Sequence, residues 1–218
     1  MSSIYEKIKA IVPDVTIEEN GLSMIVVPSK AMPLVATYLS EKESFDSLVA
    51  LIGNDWGESL GVVYIIDSTK TNERVVLKTS TTDKENPTLY SVVNVWQSAD
   101  LNEREVYDFF GIRFIGHPDM RRIFLREDWE GYPLRKDYDA SPEANPVPVT
   151  NEYNADTTIS LQEQEDGTIK EEERVIFSPE DYVVNIGPQH PATHGVMRFR
   201  PAIEGETIMK IGPICGYI

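Results

Sequence analysis

Residues 102–138 read NEREVYDFFGIRFIGHPDMRRIFLREDWEGYPLRKDY, and this stretch determines how the whole chain is interpreted. It combines charged pairs, a His-Pro step and closely spaced aromatic residues in one continuous block. The sequence before it predicts helices and strands, whereas the sequence after it changes to Pro, Asn, Thr and Glu. This change of composition indicates that the block ends a folded unit. We also expect the block to carry a partner surface, since arginine and aromatic residues are enriched at the centres of protein interfaces.

The beginning of this block predicts an amphipathic helix. Asp100 as N-cap with Glu103 three residues later is a capping-box pattern, and Gly111 suits the position just beyond a helix end. Arg104 and Asp108 are four residues apart, a spacing that places two side chains on the same helix face. We therefore expect Arg104 and Asp108 to form an ion pair.

The residues upstream of the block predict a small domain of mixed secondary structure. Asn20-Gly21 is a strong turn signal between two short runs of strand-forming residues. The predicted helices cover residues 2–10, 32–42, 88–96 and 100–111, and the predicted strands cover residues 15–18, 22–27, 47–52, 61–67 and 74–79. This order indicates an α+β fold over residues 1–138, with two layers, a mixed and mostly antiparallel sheet, and flanking helices.

The residues downstream of the block predict a different organisation. Residues 139–174 show no periodicity, contain three prolines and are dense in acidic side chains, so we expect an extended tail or linker that is partly disordered. Residues 175–218 predict a small β fragment that stops in the middle of a domain. Three strands are predicted there, over residues 181–186, 196–203 and 207–211, and the first two flank a loop that carries His190 and His194.

Composition excludes several classes of function. The formal net charge of −16 disfavours nucleic-acid binding, and a single cysteine excludes a cysteine-built metal site within the chain. No apolar run is long enough to span a membrane, and the N-terminus lacks an export signal. His190 and His194 have a proline between them, which argues against a helical zinc pair. We therefore expect no catalysis by the chain alone. The two histidines could either contact a ligand or form a hydrogen bond within their own loop.

The block also resembles a known family. Its ERE motif at 103–105, DFFGI at 108–112, GHPDMRR at 116–122 and DWEGYPLRKDY at 128–138 are similar to the 30-kDa (C) subunit of proton-pumping NADH:quinone oxidoreductase, respiratory complex I. The resemblance covers residues 1–138 and implies a non-catalytic scaffold that binds no redox cofactor itself. It implies folding and docking roles for Glu103, Arg104, Glu105, His117, Arg121, Arg122, Trp129 and Arg135.

A second resemblance follows in residues 185–199, NIGPQHPATHGVMRF, which are similar to the start of the 49-kDa (D) subunit of the same complex. The chain thus resembles a fusion of the 30-kDa and 49-kDa subunits that breaks off within the second. The resemblance implies that His194 hydrogen-bonds the quinone headgroup with His190 beside it. Only part of that site is present, because the remaining motifs of the 49-kDa family are expected beyond Ile218.

The two resemblances together imply a place in a membrane-associated enzyme. The complete enzyme would pass electrons from NADH through iron–sulfur clusters on neighbouring subunits to quinone and couple this to proton translocation. The partners implied are the remainder of the 49-kDa subunit and the iron–sulfur subunits, at the cytoplasmic side of the plasma membrane. Two alternatives stay open: the corresponding fused subunit of a membrane-bound or formate-linked [NiFe] hydrogenase, and a free-standing adaptor.

Overall fold

A computed structural model describes residues 2–19, 21–125, 129–141, 157–184, 186–189 and 197–215. These residues contain the helices α1 (Ser2–Ile11), α2 (Met32–Glu43) and α3 (Ala99–Phe110). The strands are β1 (Thr16–Glu19), β2 (Ser23–Val26), β3 (Ser47–Asp55), β4 (Leu60–Asp67), β5 (Arg74–Thr81), β6 (Thr88–Tyr90), β7 (Arg113–Ile115), β8 (Thr157–Glu163), β9 (Ile169–Val175), β10 (Ile186–Gln189), β11 (Met197–Glu204) and β12 (Thr207–Cys215).

The first sheet has the order β1-β2-β5-β4-β3, in which only the β2–β5 pair is parallel. Its side chains alternate across the sheet as expected for strands with one face on a core. In β4, Val62, Tyr64 and Ile66 are buried, whereas Val63 and Ile65 between them are half-buried. The predicted α+β fold with a mixed, mostly antiparallel sheet is confirmed.

Helix α3 packs against β3, and a glycine sets how closely it approaches. A Cβ atom built on Gly53 of β3 would lie 2.6 Å from the ring of Phe110, closer than real side chains permit. Val106 of α3 is buried in the same core, together with Phe45 and Phe114. Burial of each such side chain contributes about 1.5–3 kcal/mol, so the helix is fixed on the sheet by its apolar face.

A second sheet has the order β6-β7-β8-β9, and it corrects two predictions. Residues 88–96 were expected to be helical, but they form strand β6 followed by turns. Leu89 is buried there, and the Val92 amide donates a hydrogen bond to the carboxylate of Glu103 on α3, 2.8 Å away. Tertiary contacts thus outweigh the weak local preference for a helix in this segment.

The expectation of an irregular linker is wrong for residues 157–174, which lie in the β8–β9 hairpin. Thr158, Ser160 and Leu161 are buried, and Gly167 at φ +81° makes the turn. The buried residues occupy one short strand between acidic stretches, so the periodicity is too brief to stand out in the sequence. The division of the chain at residues 138 and 174 stays a prediction.

A third, antiparallel sheet joins β10, β11 and β12, as expected for a β fragment in residues 175–218. An additional bridge pairs Val183 with Ala202 of β11. The predicted quinone-binding residues His190 and His194 lie outside the described residues. Within the part of the chain that is described, no helix is long and apolar enough to cross a membrane.

Candidate functional site

Seven charged or titratable side chains of the signature stretch come together around α3, and we call them the signature cluster. Three belong to α3 itself and four belong to the segment that follows β7. The cluster consists of Glu103, Arg104, Asp108, His117, Asp119, Arg121 and Arg122. Five of the seven are buried, which is unusual for residues of these types. Each must therefore find a partner inside the protein.

Asp108 organises the segment after residue 122 through both of its carboxylate oxygens. Its Oδ2 accepts hydrogen bonds from three consecutive backbone N–H groups, those of Ile123 at 3.1 Å, Phe124 at 2.7 Å and Leu125 at 3.0 Å. Its Oδ1 lies 3.0 Å from Nη1 of Arg122. Hydrogen bonds to a charged acceptor are stronger than neutral ones, so this fully buried carboxylate stabilises residues 123–125, which form neither helix nor strand.

Arg122 connects α3 to the backbone around residue 130. Its Nη1 donates to the carbonyl of Asp108 at 2.9 Å, and its Nη2 donates to the carbonyls of Trp129 at 3.2 Å and Gly131 at 3.1 Å. The guanidinium also lies over the ring of Tyr132, 5.1 Å from its centroid. The planar guanidinium suits this task because its N–H donors are spread over three nitrogens, whereas lysine carries all of its donors on one.

The predicted ion pair between Arg104 and Asp108 is not formed. Arg104 donates from Nε to the carbonyl of Arg121 at 3.0 Å and from Nη2 to the carbonyl of Arg122 at 3.3 Å. Its Nη1 lies 3.9 Å from the carboxylate of Asp119. Both α3 side chains do share one helix face, but the segment after β7 covers that face and supplies better partners than the helix does.

His117 and Asp119 form the side of the cluster next to β8. His117 is fully buried, its Nδ1 accepts from the amide of Asp119 at 3.0 Å, and its Nε2 lies 3.2 Å from the carbonyl of Asp100. These contacts require a single ring proton, on Nε2, and burial lowers the pKa of His117. Burial opposes the charge of Asp119, but Arg121 and Thr158 outweigh it and hold the pKa of Asp119 well below its usual value.

Glu103 differs from the other acids of the cluster because its hydrogen bonds come from neutral groups. The carboxylate is fully buried and accepts from the hydroxyl of Ser91 at 2.6 Å and the amide of Val92 at 2.8 Å. Burial raises the pKa of Glu103 to about 8, against the opposing effect of these two hydrogen bonds. At neutral pH the side chain is therefore mostly protonated, a polar connection between α3 and the segment after β6.

The two ends of α3 behave differently from each other. The predicted capping box is wrong, because the helix begins at Ala99 and Asp100 lies in its first turn. The N-cap is Ser98, whose hydroxyl does not cap the helix but lies 3.4 Å from the carbonyl of Leu48. The predicted C-terminal glycine is confirmed, since Gly111 has φ +75° and its amide donates to the carbonyl of Tyr107. Gly111 also contacts Tyr132, because a Cβ there would lie 2.5 Å from that ring.

The three remaining signature residues have separate environments. Glu105 is exposed on α3, and Trp129 is half-buried with an indole N–H that has no hydrogen-bond partner among the described residues. Arg135 donates to the carbonyl of Lys84 at 2.9 Å and to the carboxylate of Asp137 at 3.1 Å. These residues therefore lie outside the signature cluster.

Sequence reasoning missed Asp55, which holds the end of the signature stretch. This buried residue at the end of β3 accepts from the amide of Gly57 at 2.7 Å and from the amide of Lys136 at 2.9 Å, 81 positions away. Burial opposes its charge, but these two hydrogen bonds prevail and lower the pKa of Asp55. An Asp in a turn signal is ordinary, so nothing local indicates its distant partner.

An aromatic patch lies on the outer side of the cluster, and we define it as Phe109, Phe124 and Leu134. The rings of Phe109 and Phe124 are stacked with centroids 5.5 Å apart, and the amide of Leu134 donates to the carbonyl of Phe109 at 3.1 Å. Phe124 is 47% exposed and Leu134 is 55% exposed. The buried charges thus support a surface of apolar side chains.

The signature cluster stabilises the fold, because its charged side chains form hydrogen bonds and ion pairs with other residues of the same chain. Among the described residues, no group of three or more His, Cys, Asp or Glu side chains is placed to hold a metal ion. What the geometry does provide is the attachment of the segment after β7 to α3 and β3 by hydrogen bonds to buried side chains.

Comparison with known proteins identifies relatives over most of the chain. The family described as "Respiratory-chain NADH dehydrogenase, 30 Kd subunit" matches residues 25–144. A protein of Phocaeicola vulgatus, named as the C/D subunit of NADH-quinone oxidoreductase, is 53% identical over 195 residues, 89% of this chain and 37% of the relative. A protein of Chloroherpeton thalassium, named as the C subunit of NADH-quinone oxidoreductase, is 46% identical over 111 residues, 50% of this chain and 46% of the relative.

The chain thus spans little more than a third of the length of the C/D relative from Phocaeicola vulgatus. Among solved structures, a chain of the membrane-bound sulfane sulfur reductase, an archaeal respiratory membrane complex, superimposes with a TM-score of 0.56 at 21% identity. The superposition covers 71% of this chain and 96% of the other. At this identity, the likeness concerns the fold alone.

Proposed function

The chain belongs to the family of the 30-kDa subunit of respiratory-chain NADH dehydrogenase, and from this membership we propose that it is a non-catalytic scaffold in the peripheral arm of an NADH:quinone oxidoreductase. The resemblance to the 30-kDa subunit is confirmed by the family match, and the resemblance to a fusion with the 49-kDa subunit is confirmed by relatives with the fused C/D name. The match with the Phocaeicola vulgatus protein is longer than residues 1–174, so it extends into the C-terminal part of the chain.

The observation that carries the proposal is the internal use of the signature residues. A catalytic group needs access to substrate, whereas Glu103, Asp108 and His117 are fully buried and hydrogen-bonded to the surrounding backbone. Their effect is to present the aromatic patch, whose apolar residues are of the kind found at the centre of interfaces. The buried signature residues therefore hold a surface suited to contact with other subunits, as a scaffold requires.

We propose that in the complete enzyme this chain works together with several neighbouring subunits. The partners are the remainder of the 49-kDa polypeptide and the iron–sulfur subunits of the peripheral arm, on the cytoplasmic side of the membrane. NADH and the iron–sulfur clusters belong to those neighbouring subunits, and quinone binds where His194 and His190 meet the rest of the 49-kDa polypeptide. Electron transfer to quinone is coupled to proton translocation by other subunits.

Gene replacement in the native host tests the scaffold role. Deleting the coding region for residues 1–138 should abolish NADH:quinone reductase activity of membranes and remove the assembled complex from native gels. The NADH-oxidising part of the enzyme should still reduce a water-soluble acceptor, because the proposal places the early electron carriers on other subunits. Full quinone reductase activity without these residues would refute the proposal.

Variants of the aromatic patch test where the partners bind. Leu134→Ser, which leaves the stacked pair of Phe109 and Phe124 intact, should lower the amount of assembled complex at least several-fold, while the isolated chain keeps its urea unfolding midpoint. Leu22→Ser is the matched control, since Leu22 is 48% exposed at the β1–β2 turn, far from the cluster in sequence. Equal amounts of complex in the patch variant and the control would exclude this surface from docking.

A further inference from the structure

The β8–β9 hairpin adds its strand β8 to the edge of β7 in the α+β unit, a name we give to the α+β fold of residues 1–138. Strand β8 runs parallel to β7, with Ile115 opposite Leu161. The amide of Gly116 donates to the carbonyl of Leu161 at 2.8 Å, and the amide of Met120 donates to the carbonyl of Ile159 at 3.2 Å. Main-chain bonds of this kind are the basis of recognition by strand addition, in which a sheet edge binds an extended peptide.

Side chains of β8 also enter the fold beside the signature cluster. Thr158 donates from Oγ1 to Oδ1 of Asp119 at 2.6 Å, and it is buried together with Ser160 and Leu161. Arg121 holds Asp119 from the other side with a 2.6 Å contact between Nη2 and Oδ2. The carboxylate is therefore fixed in place and charged, which makes it a strong acceptor for one hydroxyl at one position of the strand.

Two exposed ion pairs also join the hairpin to the residues that precede it. Lys30 lies 2.6 Å from Glu163 of β8, and Arg113 of β7 lies 2.5 Å from Glu171 of β9. Exposed pairs like these add little affinity, but they favour one register of the strand over its neighbours. The basic partners come from the α+β unit and the acidic partners from the hairpin, so the two surfaces are complementary in charge.

We infer that the edge of β7, together with Asp119, is a strand-acceptor site whose occupant is residues 157–163 of the same chain. Through it the C-terminal part of the chain is held on the α+β unit by non-covalent contacts, independently of the peptide connection through residues 142–156. The inference does not depend on the enzyme to which the chain contributes.

Cutting the chain between the two parts tests whether the non-covalent contacts of β8 are enough to hold them together. A protease recognition sequence is inserted within residues 142–156 of the full chain, the purified protein is cut, and the products are passed over a size-exclusion column. We expect two bands on a denaturing gel and one co-eluting peak in native buffer at micromolar concentration. Separate elution of the two pieces from the cut but otherwise unchanged chain would overturn the inference.

Substitution of one hydroxyl then locates the site. Thr158→Val keeps the shape of the side chain and removes its hydrogen bond to Asp119, so the dissociation constant of the two pieces should rise roughly ten- to a hundredfold. The control is Thr157→Val at the exposed neighbouring position, which should bind as the unchanged chain does. Circular dichroism of the uncut variants checks the fold, and equal dissociation constants for the two variants would remove Asp119 from the site.

Discussion

Replacing Asp108 by asparagine should destabilise the protein strongly although it only replaces one carboxylate oxygen by an NH2 group. The buried Arg122 then loses its charged partner. The NH2 group of the asparagine faces another donor in either orientation, because it points either at Arg122 or at the amides of residues 123–125. Breaking a buried ion pair costs about 3–5 kcal/mol. Arg122 keeps three carbonyl acceptors, so we expect the lower end, about 3 kcal/mol. For a chain of this size, that corresponds to a melting temperature lower by about 6–12 °C.

Urea unfolding followed by tryptophan fluorescence measures the effect, because Trp129 lies in the segment that Asp108 and Arg122 hold. The matched control is Asp67→Asn, which removes one charge from an exposed pair with Arg74, 2.7 Å away, and should shift the midpoint far less. Equal midpoints for Asp108→Asn and Asp67→Asn would show that the charge of the buried carboxylate is not needed and would refute this account of the signature cluster.

Two further substitutions examine single features of the cluster. Burial raises the pKa of Glu103 from 4.5 to about 8, so its contribution to stability is complete below pH 4.5 and is lost as the pH rises through 8. Glu103→Gln should therefore leave the urea midpoint at pH 4.5 nearly unchanged and raise it at pH 9; a variant with the same pH dependence as the unchanged chain would contradict this. Gly111→Ala should lower the melting temperature more than Gly57→Ala does, since both have positive φ but only the Cβ at position 111 meets Tyr132, at 2.5 Å. Thermal unfolding by circular dichroism compares the two, and equal shifts would show that the ring moves aside at no cost.

Much of the fold follows from local patterns in the sequence. The Asn20-Gly21 turn and the apolar runs near residues 47–79 predict β1 to β5 within a few residues of their observed bounds. The C-terminal end of α3 is predictable because only glycine adopts the conformation of Gly111 without strain. Features of this kind are decided by neighbours along the chain, so they can be recognised without the structure.

The signature cluster is decided by contacts between distant residues, and here sequence reasoning reached its limit. The i to i+4 spacing of Arg104 and Asp108 is a sound argument for an isolated helix, yet each side chain has its principal partners beyond residue 118. Likewise β8 pairs with β7, which lies far from it in the sequence. Asp55 accepts a hydrogen bond from the amide of Lys136, which is also distant along the chain. The family resemblance implied roles for Glu103, Arg104, His117, Arg121 and Arg122, but only the structure shows what each of them contacts.

The three amides that donate to Asp108 have a consequence for hydrogen exchange. Residues 123–125 belong to neither helix nor strand, and amides in irregular segments usually exchange quickly with solvent. Here the three N–H groups point at one fully buried oxygen, so they exchange only when the segment separates from α3. Their deuterium uptake therefore reports a sub-global opening of the signature stretch, and slower uptake within the assembled complex would measure how far the neighbouring subunits suppress that opening.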